Sequence, residues 1–140
     1  MKNESELDYD GILKMGSNLV TSYVSQNTDF LDELTLKQWI QENQINEPVF
    51  KAMLTKMGVG AKEFQKKMKN MSEGQKKKVL LAKSISENAN IYLWDEPFNF
   101  VDIPSREQIE KAILQYQPTM IFVEHDETFV NRIATKILKI

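Results

Sequence analysis

The chain has 140 residues, enough for one compact domain. Its hydrophobic fraction of 41% and charged fraction of 27% are ordinary for a globular protein, and a net charge of -2 gives no global electrostatic case for nucleic acid or an anionic membrane. The absence of cysteine excludes disulfides and thiolate metal sites, which fits a reducing, cytoplasmic setting.

The first residues, Met1 to Glu6, are polar and acidic, unlike a secretory leader. No apolar run approaches the ~20 residues that span a bilayer, so a soluble protein with no membrane partner is expected. Leu19 to Val24 is a short β-prone run that ends in a polar Ser25-Gln26-Asn27-Thr28 turn. Thr35 to Asn43 and Glu47 to Met57 carry apolar residues at helical spacing, and Gly58-Val59-Gly60 stops the second of these helices. Ser72 is a good N-cap for a helix reaching about Ser86. Ile91-Tyr92-Leu93-Trp94 is the continuous apolar run of a buried parallel strand. Pro104 opens a helix to about Leu114, because proline is tolerated in a first helical turn. Thr119 to Val123 reads as a second buried strand, Thr128 to Ala134 as a helix, and Lys136 to Ile140 as a last short strand or the truncated start of one. Strands alternating with helices predict an α/β domain built on a mostly parallel sheet. Such sheets place ligands at the carboxyl ends of their strands.

Acidic and imidazole groups gather at those ends. Asp95-Glu96 follows the Ile91–Trp94 strand, as in P-loop NTPases, where an Asp holds magnesium directly or through water. The neighbouring Glu96 is then placed to polarise an attacking water as general base. The plainer account is an acidic turn leading into the Pro104 helix. Met71-Ser72-Glu73-Gly74-Gln75 starts a helix whose free N–H groups and dipole favour phosphate. The plainer account here is a Ser-capped amphipathic helix with a solvated Lys76-Lys77-Lys78 face. His125, the single histidine, could act on a phosphate or on the hydrolytic water, or be structural beside a capping Asp126. Gln26 alone carries little information.

In combination these residues say more. Gln26, Ser72-Glu73-Gly74-Gln75, Asp95-Glu96, Asn99-x-x-Asp102 and His125 occur in an order that resembles the ATP-binding-cassette (ABC) ATPases. The family's names for them are Q-loop, signature, Walker B with catalytic Glu, D-loop and H-switch. The resemblance runs from Gly11 to Ile140. It implies a partial P-loop NTPase-like fold, a parallel sheet with a helical signature subdomain over about 27–86 and the remaining motifs over about 87–140. It also implies ATP and magnesium as ligands. Glu96 and His125 are then catalytic, Asp95 and Gln26 hold the metal, and Gln26, Ser72, Gly74, Gln75, Asn99 and Asp102 contact nucleotide. Asp95 to Asp102 and Val123 to Val130 are similar to the corresponding stretches of ABC-F proteins, tandem ATPases that act on the ribosome. The signature resembles the second cassette of their antibiotic-resistance branch. Partners implied are ATP, a second cassette in the same or another chain, and the ribosome. The alternatives are a fragment of an ABC transporter's ATP-binding subunit, or a non-catalytic binder of another cassette.

Three departures from the pattern stand out. No G-x-x-x-x-G-K-[ST] loop occurs in the 140 residues, so the expectation is of a chain that begins after the phosphate cradle and is inactive alone. Glu73 replaces a glycine of the signature and is expected to point away from phosphate. Phe98 and Phe100 make the D-loop apolar, which suits a cassette–cassette interface.

Overall fold

A computed structural model describes residues 18–139. The polar N-terminus, the start of the resemblance at Gly11, and Ile140 lie outside the described residues. Three parallel strands, β1 (Thr21–Val24), β2 (Ile91–Asp95) and β3 (Met120–Val123), form a sheet in the order β1-β2-β3. The register aligns Val24 with Trp94 and Trp94 with Phe122. All three strands therefore end together, and the loops that follow them meet on one edge of the sheet.

Among the described residues, five α-helices accompany the strands: α1 (Leu36–Glu42), α2 (Glu47–Lys56), α3 (Glu73–Ser86), α4 (Ile103–Tyr116) and α5 (Glu127–Ile133). Their ends follow local chemistry. At both α1 and α3 a reciprocal capping box closes the first turn: Thr35 with Gln38, and Ser72 with Gln75. Asp102 caps α4 just ahead of Pro104, and Asp126 caps α5. Gly58 ends α2 with a φ of 79°, a left-handed conformation that costs glycine little. The core joins Phe50 and Leu54 of α2, Val79 and Leu81 of α3, Val24, Trp94, Ile109 and Phe129. Trp94 is 3% exposed, and its indole N–H donates to Ser84 Oγ of α3 at 2.8 Å. Ser84 Oγ also pairs with Ser22 Oγ at 2.6 Å, so one buried hydroxyl ties α3 to β1 and β2.

Residues 61–70 contain two short 3-10 turns, Ala61–Gln65 and Met68–Asn70. Two expectations about the chain's organisation change. Thr119 to Val123, expected as a buried strand, forms β3 over Met120–Val123, but Ile121 and Val123 are exposed because no helix among the described residues covers that face of the sheet. Lys136 to Lys139 form no strand: Ile137 and Leu138 are exposed, and no strand among the described residues pairs their backbone groups. A strand exists only where its N–H and C=O groups find a ladder. No helix among the described residues is long and apolar enough to cross a membrane.

Candidate functional site

The chain leaves β2 at Glu96 with a φ of 46°, the left-handed region, held there by its N–H donating to Val123 O at 2.8 Å. This turn swings the Glu96 side chain across the strand ends, where three side chains converge on it. Gln26 Nε2, two residues beyond β1, donates to Glu96 Oε2 at 2.8 Å. Asn99 Nδ2 donates to the same oxygen, also at 2.8 Å. His125 Nε2, just past β3, meets Glu96 Oε1 at 3.1 Å. A carboxylate only accepts, so the imidazole presents an Nε2–H to it. Both carboxylate oxygens are thus fixed, while His125 keeps 82% of its side chain exposed. Asp95 is the last residue of β2, in register with Val123.

A second polar group surrounds the start of α3. Ser72 Oγ accepts from the Gln75 N–H at 3.1 Å, and Gln75 Oε1 accepts from the Ser72 N–H at 3.0 Å. A Cβ added to Gly74 would lie 2.5 Å from the Phe100 carbonyl oxygen, so the glycine makes room for the chain's own 98–102 loop. Phe100 itself has a φ of 64°. Asp102 meets Lys78 Nζ at 2.6 Å and accepts from the Ser105 N–H at 3.1 Å. The Lys78 ammonium, ahead of the Ser105 donors, lowers the Asp102 carboxyl to about 2. Glu73 bonds Thr28 Oγ1 at 2.8 Å and Lys76.

The structure therefore brings Gln26, Glu96, Asn99 and His125 into one network beside Asp95. It gathers Ser72, Gly74, Gln75 and Asp102 into another, and the 98–102 loop links the two. Two sequence expectations are corrected. The lysine run is not a solvated face: Lys76 and Lys77 are 4% and 1% exposed. Lys76 pairs with Asp32 at 2.6 Å, Lys77 Nζ donates to the Ser25 and Gln26 carbonyls, and Lys78 reaches Asp102. The Asp32 carboxylate raises the Lys76 pKa against the opposing effect of burial. Phe98 is not an interface residue either. It is 1% exposed and stacks edge-on with Phe129 at 4.5 Å, whereas Phe100 is exposed.

Sequence reasoning missed two supports. Arg106 Nε, Nη1 and Nη2 donate to Val101 O, Asp126 Oδ2 and Phe98 O, which fastens the 98–102 loop to α4 and α5. Glu124 accepts from the Phe98 and His125 N–H groups. Nothing in the local pattern singles out Arg106. The lysine run did carry a signal, because successive helical residues point about 100° apart and cannot share one solvent face.

No group of three His, Cys, Asp or Glu side chains among the described residues could by itself cage a metal ion. Asp95 and the Gln26 amide oxygen, which its bond to Glu96 leaves unused, are hard oxygen donors. They fit a magnesium ion that draws its remaining ligands from phosphate and water.

A family model described as "ABC transporter" matches residues 8–99. YdiF of Bacillus subtilis is 32% identical over 93% of this chain and 21% of its own length. "Ribosome protection protein VmlR" of the same organism is 34% identical over 77% of this chain and 21% of its own length. The chain thus spans about a fifth of these curated relatives. A solved structure described as "Structure of ATP binding subunit of ABC transporter" superposes with a TM-score of 0.71 at 16% identity, covering 81% of this chain and 52% of that one. At that identity the likeness concerns the fold alone.

Proposed function

This chain belongs to the ABC transporter family, and on that premise we propose that it is part of an ABC-F-type ATPase that couples ATP binding and hydrolysis to work on the ribosome. The observation that carries the ATPase reading is the carboxylate of Glu96, held by Gln26, Asn99 and His125 at the shared ends of the three strands. The ribosomal part is supported by the Asp95–Asp102 stretch and by the similarity to VmlR, whose name describes ribosome protection.

In this reading Glu96 takes the proton of the attacking water, and His125, exposed on its outer side, orients that water or the terminal phosphate. Asp95 and Gln26 hold magnesium, which neutralises phosphate charge when bound. Ser72, Gly74 and Gln75 present the start of α3 to the phosphates of an ATP carried by a second cassette. Asn99 and Asp102 hold the 98–102 loop between the two polar groups. Residues from about 27 to 86 form the signature-bearing helical part, and those from about 87 onward the rest of the site. The 140 residues contain no G-x-x-x-x-G-K-[ST] loop, so the site they form lacks the backbone cradle for phosphate.

ATP turnover with magnesium tests this, comparing the 140-residue chain with one preceded by a P-loop segment. Turnover is expected only in the extended form, and Glu96→Gln is expected to abolish it. ATP-dependent co-sedimentation of the extended form with ribosomes tests the ribosomal part. Turnover by the bare chain would falsify the account of the missing loop.

A further inference from the structure

One buried charge is not used by this mechanism. Lys77 is 1% exposed, in a helix that also buries Val79, Leu80 and Leu81 against the core. Burying an ammonium is unfavourable unless specific acceptors surround it. Here they are specific. Nζ donates to Ser25 O at 2.9 Å and to Gln26 O at 3.2 Å, the two carbonyls just past the end of β1. Burial pushes the Lys77 pKa down, and the nearby carboxylates of Asp95, Glu96, Glu124 and Glu73 oppose that shift. Those two carbonyls lie past the β1–β2 ladder, whose register ends at Val24. Their donor comes instead from α3, one helical turn from Gly74. The backbone they fix carries the Gln26 side chain that reaches Glu96 at 2.8 Å.

We propose that Lys77 is a positioning residue of the ATP site: its buried ammonium clamps the Ser25 and Gln26 carbonyls and so aims the Gln26 amide at Glu96. This rests on reading Gln26 and Glu96 as parts of an ATP site. It makes the start of α3 and the loop after β1 one mechanical unit, so that any shift of the signature helix moves Gln26 relative to Glu96. Lys76 and Lys78 do not share this role, because their ammonium groups go to Asp32 and Asp102.

The test is a side-chain amide NMR spectrum of the nucleotide-free 140-residue chain, with the Gln26 signals assigned by their loss in Gln26→Ala. In Lys77→Met the Gln26 side-chain signals are expected to move to the position of a freely rotating glutamine. The His125 ring signal, from the single histidine in the chain, is expected to shift with them, while the remaining backbone spectrum stays dispersed. A uniformly loosened fold would move many signals rather than these. If Lys77→Met does not fold, Lys77→Gln replaces it: its amide is too short to bridge both carbonyls, and the same Gln26 shift is expected. Gln26 signals unchanged in a folded variant overturn the proposal. ATP binding by the P-loop-extended form is measured separately. Its failure would sink the ATP-site reading, while the NMR result would still report whether Lys77 holds Gln26.

Discussion

The two faces of the sheet are built differently. On one, Ser22, Val24 and Trp94 are buried against the helices, and Phe122 packs on the same core. On the other, Tyr23, Ile121 and Val123 are 43%, 65% and 51% exposed. Alternation along each strand puts those three residues on a common face. Stability in the described residues therefore comes from one side, and the strand tips that carry Gln26, Glu96 and His125 are held from that side, through α3 and the 98–102 loop. A site anchored this way is sensitive to changes beneath it and tolerant of changes on the open face.

The largest test of this contrast is Trp94→Ala, which removes the central ring of the packed face. Urea unfolding should show a loss of about 3–5 kcal/mol. Gly74→Ala should cost about 1–3 kcal/mol, because the new methyl group meets the Phe100 carbonyl at a distance that forces the loop to shift. Ser84→Ala leaves the Trp94 N–H without its acceptor and should cost a similar ~1–3 kcal/mol, read as a lower urea midpoint with unchanged slope.

A smaller effect lies in pH. The Asp102 carboxyl falls from its ordinary value of 3.8 to about 2 on folding, so it is depressed and its stabilisation is present at neutral pH. That contribution is lost as pH falls from about 4 through about 2. Lys78→Met removes the main cause of the depression. The stability gap between wild type and Lys78→Met, measured by urea unfolding, should therefore be wider at pH 6 than at pH 2.5. On the open face, Ile121→Thr should change stability by no more than about 0.5 kcal/mol. A loss there as large as that of Trp94→Ala would mean that both faces carry the fold.

The sequence by itself determined the alternation of strands and helices, the caps at Ser72 and Asp126, and the order of the polar motifs, because these are written in local periodicity and turn chemistry. It could also place Glu96 and His125 at strand ends, since a continuous apolar run announces its own terminus whether one face or both are covered. Only the tertiary structure decided that Gln26 and Glu96, 70 residues apart, share a hydrogen bond, that Phe98 belongs to the core, and that three consecutive lysines are drawn inward to three different partners. It also decided that Lys136 to Lys139 form no strand. The physical reason is common to all four. Whether a side chain is buried, or a segment finds a ladder, depends on what the rest of the chain brings beside it, and periodicity is silent about that partner.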